Sequence, residues 1–289
     1  MTKDALQCRQ TGQFSLNCDL LRSTRVLGKT KPAGCSNWAE RRAKFRAPPS
    51  DKKNGNIMEN SSTSGAFVSP AAARIIPFAV FIGFIVLQSI AGEHMRSMGL
   101  DARWLYPART VVVALLLLAL WRHYTEVHDF TGVTGRQIGI AFAAGIAVFV
   151  LWINLDFGWA TIGKPGSFDP MLEDGSGLAW GFVAFRLIGL ALVVPVMEEL
   201  FWRSFLLRWL ERNDFILCDP RKVGLRAILI CAVLFASEHS LWFAGLLAGL
   251  VYNAVYVRGG NLWLPIISHA TTNAALGWWI LTTHNWQFW

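Results

Sequence analysis

Six residues in the C-terminal part of the chain could do hydrolytic chemistry together. They are Glu198, Glu199 and Arg203 in "EELFWR", His239 at the end of "FASEH", and His269 with Asn273 in "HATTN". On a helix, Glu199 and Arg203 share a face and can pair. Glu198 then points about 100° away, because a turn takes 3.6 residues, and keeps its charge unneutralised. Phe235 and His239 stand four apart, as do His269 and Asn273, so each couple faces one way on a helix. A carboxylate with an imidazole can take a proton from water and direct the water at a carbonyl. An asparagine and a second imidazole can donate hydrogen bonds to the oxyanion that forms. No nucleophilic side chain is needed. Cys218 and Cys231 lie outside these motifs, and neither G-x-S-x-G nor H-E-x-x-H occurs.

Other roles exist for each piece. Glu199 with Arg203 can be a structural ion pair, and an intramembrane histidine can be an interhelical hydrogen bonder. Glu198 can be the ion-coupling carboxylate of a proton-coupled transporter, or the whole a non-enzymatic membrane scaffold. Transporters usually repeat their halves with broken helices in matching places. No second E-E-x-x-x-R occurs in residues 70–177, where Arg109, Arg136 and Asp156 lack such spacing. By residue type, Glu198, His239 and His269 could also hold zinc, with water in the fourth position. Zinc sites favour two histidines on one helix, whereas here each stands on its own region. Asn273 is a poor zinc ligand and a good oxyanion donor. The metal-free reading is preferred, with no cofactor, and a divalent metal is its alternative.

The elements that must position these residues read as membrane helices. The 289 residues are 53% hydrophobic and only 16% charged, with 14 Trp. That balance is characteristic of membrane rather than soluble domains. Apolar runs long enough to approach a bilayer core, about 20 residues, fall roughly at 75–91, 104–121, 138–158, 178–207, 223–241, 243–258 and 262–282. The expectation is an all-α polytopic protein of seven to eight spans, since lipid forbids unpaired backbone groups. Ser240 to Trp242 leave room only for a tight hairpin or a re-entrant element. Gly245 and Gly249 form a G-x-x-x-G that allows close helix packing. "TGVTGRQ" and "GKPGSF" lack the ending of a phosphate loop.

Charge is unevenly placed. Residues 1–57 hold 12 Lys/Arg against 4 Asp/Glu, and the rest of the chain holds 15 of each sign. The basic excess therefore belongs to a tail, read as disordered over residues 1–65, and not to a nucleic-acid surface. No apolar segment follows its first basic residues, so it is no secretory signal. Met58 opens a short polar lead into the first span, and an alternative to the tail is sequence upstream of the true start. Five cysteines without C-x-x-C spacing suggest neither a disulfide framework nor a zinc knuckle. With the N-terminus cytoplasmic, the inner loops hold Arg122, Arg136, Arg208, Arg212, Arg221, Lys222, Arg226 and Arg258. The outer loops hold Arg96, Arg103, Arg109 and Lys164, beside the acids of 156–177. That asymmetry sets the expected orientation. At about 1.5 Å per residue, Glu198, His239 and His269 fall near the midplane or in its cytoplasmic half.

The three motifs E-E-x-x-x-R, F-x-x-x-H and H-x-x-x-N, all intact and in this order over 178–282, resemble the CPBP family of intramembrane proteases. That family includes type II CAAX prenyl endopeptidases and bacteriocin-processing relatives, and "VVPVMEELFWRSFLLR" is most similar to its bacterial, exosortase-associated branch. The resemblance implies a membrane-embedded protease domain over 70–289, acting on a membrane-associated protein or peptide. It implies Glu198 as general base and His239 as its helper in activating water. His269 and Asn273 would be oxyanion donors, with Glu199 and Arg203 holding the helix and tuning the site. It also implies a multi-pass protein of a bacterial inner membrane. The CAAX label describes ancestry more safely than it describes a prenylated substrate.

Overall fold

A computed structural model describes residues 68–98, 102–163 and 178–288. The basic tail and residues 164–177 of the expected outer loop lie outside them. Among the described residues every regular element is helical. Helix α1 is Pro70–Ser97, α2 is Leu105–Ala119, α3 is the single turn Thr125–His128 and α4 is Gly135–Asn154. A continuous helix, α5, runs over residues 178–211. It is followed by α6 Leu225–Ala236, α7 Trp242–Gly259 and α8 Trp263–Thr283.

These helices sit where the apolar runs lie, with boundaries shifted for local reasons. Helix α4 begins at Gly135, before the run starts, because Thr134 and Gln137 close a reciprocal cap: Gln137 N donates to Thr134 Oγ1 at 3.3 Å and Thr134 N to Gln137 Oε1 at 2.9 Å. "TGVTGRQ" is thus a helix start, with Gly132 at φ 78° in the turn before it. Helix α6 stops at Ala236, five residues short of the expected end. Ser237 Oγ takes up the Leu234 carbonyl at 2.7 Å and the chain turns. Arg109 and Arg208, expected in loops, lie buried inside α2 and α5. Each side of the loop count loses one cation, so the basic bias stays at the same end.

Among the described residues three helices are both long and apolar enough to cross a membrane: Pro70–Ile90, Gly135–Asn154 and Trp180–Glu211. Helices α2 and α6 are apolar but shorter, while α7 and α8 carry the polar residues of the bundle interior. Only 17% of the α1 and α4 spans is buried, and Ile85, Leu87, Ile90, Ile140 and Phe142 are exposed. Apolar surface on that scale needs lipid around it. The protein is an integral membrane protein.

Small residues let the site helices approach. A Cβ on Gly145 of α4 would stand 2.3 Å from the Ser268 carbonyl oxygen of α8. One on Gly249 would lie 3.1 Å from Ala232 Cα, and one on Gly245 3.3 Å from Ala236 Cα, so G-x-x-x-G packs α7 on α6. The start of α4 meets the end of α7 and the start of α8 at one end of the bundle, around Arg136, Arg258 and Leu264. At the other end, the segment after α4 lies on the α6–α7 turn: Ile162 N donates to Ser240 O at 2.8 Å and Trp242 Nε1 to Trp159 O at 3.0 Å.

Candidate active site

The site is built on an irregular stretch of α5. Its turns widen to π-helix over Gly189–Val193, return to α over Val194–Glu199, and widen again over Leu200–Leu207. Inserted turns of this kind are frequent at functional sites. The first has a cause in sequence. Val194 N bonds the Gly189 carbonyl, five residues back. Continued by one residue, that register would ask the nitrogen of Pro195 to serve Leu190 O, and proline has no hydrogen to give. Asn273 of α8 fills the gap, its Nδ2 donating to Leu190 O at 2.8 Å. One amide hydrogen of Asn273 is therefore committed to the fold, and the second is available.

Glu199 is the hub of the buried charges and is wholly inaccessible, as is Arg203. Arg203 Nη1 donates to Glu199 Oε1 at 3.0 Å, the i,i+4 pair expected from spacing. The same oxygen accepts from His269 Nδ1 at 2.9 Å, a contact that spacing could not show. Arg203 Nε also reaches Asn253 Oδ1 at 3.2 Å, and its guanidinium lies 4.6 Å from the centre of the Phe235 ring. Asn253 Nδ2 in turn donates to Ile228 O at 3.0 Å, which ties α6 and α7 to the pair. The Tyr252 ring stacks on His269 with centroids 4.9 Å apart.

Glu198 differs. It is 7% exposed and its Oε2 has no hydrogen-bond partner. It lines a cavity of ≈ 230 Å³ together with His239, His269 and Asn273. The four groups expected to converge line one cavity, while Glu199 and Arg203 are not part of its lining. His239 is not on a helical face, as its spacing suggested. It lies in the turn after α6, where Nδ1 donates to the Phe235 carbonyl at 2.8 Å. A carbonyl and a carboxylate only accept, so both imidazoles are held as Nδ1–H tautomers with Nε2 left for the cavity. Trp152, His239 and Phe288 also line a neighbouring cavity of ≈ 480 Å³, together with Asp156, Thr161 and Ser240. This second cavity lies at the end of the bundle where α4 finishes and α7 begins.

Glu198, His239 and His269, the residues named from type as possible zinc ligands, line one cavity. Yet no three His, Cys, Asp or Glu side chains among the described residues are grouped closely enough to hold one ion.

Sequence reading missed several residues at this site. Glu238, inside "FASEH", accepts from Trp202 Nε1 at 2.9 Å and is close enough to Glu198 for their charges to interact. Tyr106, Arg109 and Arg186 line the cavity too. Two arginines within apolar runs were the available signal, obscured by placing Arg109 in a loop. A separate buried network joins α1, α3 and α5. Arg74 Nε donates to Ser204 Oγ at 2.7 Å and Nη2 to Glu126 Oε2, while Ser204 and Arg208 both donate to Glu126 Oε1. Nothing in the spacing of these four residues announces that contact.

Residues 180–275 match the family model described as Type II CAAX prenyl endopeptidase Rce1-like. The chain matches no curated protein and no solved structure. The match spans all three motifs and the helices that carry them, from α5 to α8, and leaves α1 to α4 outside. With a buried glutamate, two histidines and an asparagine around one cavity of a helical membrane bundle, residues 180–275 are similar to the Rce1-like type II CAAX prenyl endopeptidases.

Proposed function

We propose that this protein is an intramembrane endopeptidase that hydrolyses a peptide bond by glutamate-activated water, without a metal. The observation that carries the reading is the Glu198 carboxylate, unpartnered at Oε2 and sharing a cavity with His239, His269 and Asn273. Water sits between Glu198 and His239 Nε2, which accepts its second hydrogen. Glu198 takes a proton, the hydroxide adds to the scissile carbonyl, and the proton passes to the departing amine. The free Asn273 N–H donates to the oxyanion. His269 joins it when its ring carries both protons, with Glu199 fixing the imidazole from behind as the carboxylate of a triad does. Arg203 keeps Glu199 in place.

The substrate is a membrane-associated protein or peptide, and the setting is a bacterial inner membrane with the N-terminus cytoplasmic. In that orientation the cavity beside the site, at the end where α4 finishes, lies towards the non-cytoplasmic face, since the basic loops gather at the other end. The basic tail, residues 1–65, has no part in the chemistry, and residues 70–289 form the protease domain.

The test is incubation of purified full-length protein with a membrane-peptide library, read by mass spectrometry beside Glu198→Gln. New termini with the wild type and none with the variant are expected; equal cleavage by both would refute the mechanism. Elemental analysis of the active protein should show no stoichiometric zinc, and dialysis against a chelator should leave the rate unchanged. Activity lost on chelation and restored by zinc alone would replace this scheme with a metal one.

A further inference from the structure

A cavity of ≈ 700 Å³, distinct from the catalytic one, lies between the start of α4 and the end of α7, with Leu264 of α8 also in its lining. Its walls change character along its length. Ile140 and Ala144 of α4 and Val251, Ala254 and Val255 of α7 make one part apolar, and Arg136 and Arg258 stand at the helix ends. At 1.5 Å per residue, about 10 to 12 Å of helix separates each arginine from the innermost of these apolar residues. Both arginines are exposed, as is Ile140, so the cleft is reached from the outer side of the bundle, where lipid stands. No carboxylate lines it, and neither guanidinium has an ion pair among the described residues. Gln137 lines it as well. Its Oε1 accepts from Thr134 N at 2.9 Å and from Thr134 Oγ1 at 3.0 Å, which leaves the hydrogens of Nε2 for a ligand.

We propose that the cleft between α4 and α7 binds one anionic phospholipid, its phosphate on Arg136 and Arg258 and the upper part of an acyl chain along Ile140 and Val251. Guanidinium forks match phosphate oxygens, and basic pockets between membrane helices hold anionic head groups. A free phosphate would leave the apolar walls unused, and a zwitterionic lipid would bring its own cation to the arginines. The lipid belongs to the leaflet at the basic end of the bundle, which in the proposed orientation is the cytoplasmic one. The site does not depend on the protease reading.

The experiment offers full-length protein in detergent equal amounts of dioleoyl phosphatidylglycerol and dioleoyl phosphatidylcholine, and counts bound lipids by native mass spectrometry. The first lipid retained should be phosphatidylglycerol, preferred at least about tenfold, or about 1.4 kcal/mol. Arg136→Gln and Arg258→Gln should each lower that preference about threefold, and together about tenfold, since each basic group near the head groups contributes separately. The basic tail is common to every variant, so the differences report the cleft. Arg122→Gln with Arg226→Gln removes the same charge at the same end of the bundle but outside the cleft, and should leave the preference unchanged. Ala254→Phe keeps both arginines, fills the apolar part and should weaken binding of both lipids. Melting temperatures near that of the wild type report that the variants are folded; if Ala254→Phe does not fold, the arginine variants decide alone. Equal retention of the two lipids, or a preference unmoved by the double substitution in the cleft, would overturn the site. So would an equal loss in the Arg122 and Arg226 pair, which would assign the preference to diffuse surface charge. Displacement of the lipid by glycerol 1-phosphate would make it a site for a soluble anion instead. A dimer that dissociates on Ala254→Phe and shows no lipid preference would give the cleft to a second copy of the chain.

Discussion

Helix α5 carries two buried ionic clusters barely a turn apart, and they are satisfied to different degrees. In the first, Ser204 and Arg208 join Arg74 and Glu126, and every side-chain nitrogen and oxygen of the four that is buried has a partner. In the second, Arg203 and His269 both use Oε1 of Glu199. Oε2 of Glu199 and Oε2 of Glu198 are left with none. A buried acceptor without a donor costs about 1 to 3 kcal/mol. Of the two, only Glu198 lines the cavity, where on the proposed mechanism an attacking water would supply the missing donor. A closed network around Glu126 locks helices. Around Glu198 the network stays open, with Oε2 unpartnered beside the cavity.

The comparison can be broken most sharply at Glu198. Glu198→Gln should lower the cleavage rate by about 10² to 10⁴, the range for loss of a general base, while the melting temperature stays near that of the wild type. A large drop in stability would instead make Glu198 a structural residue like Glu126.

Glu126→Gln should do the converse. Breaking a buried ion pair costs about 3 to 5 kcal/mol, so the variant should melt well below the wild type and yet cleave normally where it is folded. Acid should narrow the gap. Burial pushes the Glu126 carboxyl up, but the Arg74 and Arg208 guanidiniums and the Ser204 hydroxyl outweigh it and hold it below the usual carboxylate value. A depressed carboxyl contributes stability that is present above its unfolded pKa, about 4.3, and is lost as pH falls through the lower folded value. Melting curves from neutral pH into acid should therefore converge for the two proteins. Parallel curves would mean that Glu126 does not work through its charge.

Glu199→Gln tests the boundary between the clusters. It strands Arg203 and loosens His269, so stability and cleavage should both fall, each by less than in the variant specific to it. A loss in only one would assign Glu199 wholly to that cluster. The smallest effect is expected from removing residues 1–57: a chain starting at Met58 should insert and cleave like the full one, measured side by side in membranes. Loss of cleavage would bring the basic tail into the mechanism.

Much of this was legible before any coordinates. Long apolar runs place the helices because a bilayer leaves the backbone no alternative. An i,i+4 spacing predicts Glu199 with Arg203 because the helix repeat is local. The same logic singled out Glu198 as the carboxylate without a partner and gave both glycines of G-x-x-x-G a packing role that the α6–α7 contact bears out. It erred at helix ends. Ser237 ends α6 early through a side-chain bond that apolarity does not register, and His239 was left on a helix it does not join.

What the chain alone determined is whatever depends on neighbours within a turn or on the character of a whole span: helical class, membrane residence, the three motifs and their order. Tertiary structure decided which distant groups meet. His269 reaches Glu199 across 70 residues, Asn273 answers a carbonyl orphaned by Pro195, Arg74 finds Glu126, and Arg109 and Arg186 come to one tyrosine. Such contacts depend on how helices are rotated and stacked. That is fixed by the fit of many side chains at once, so no spacing within a single helix encodes it.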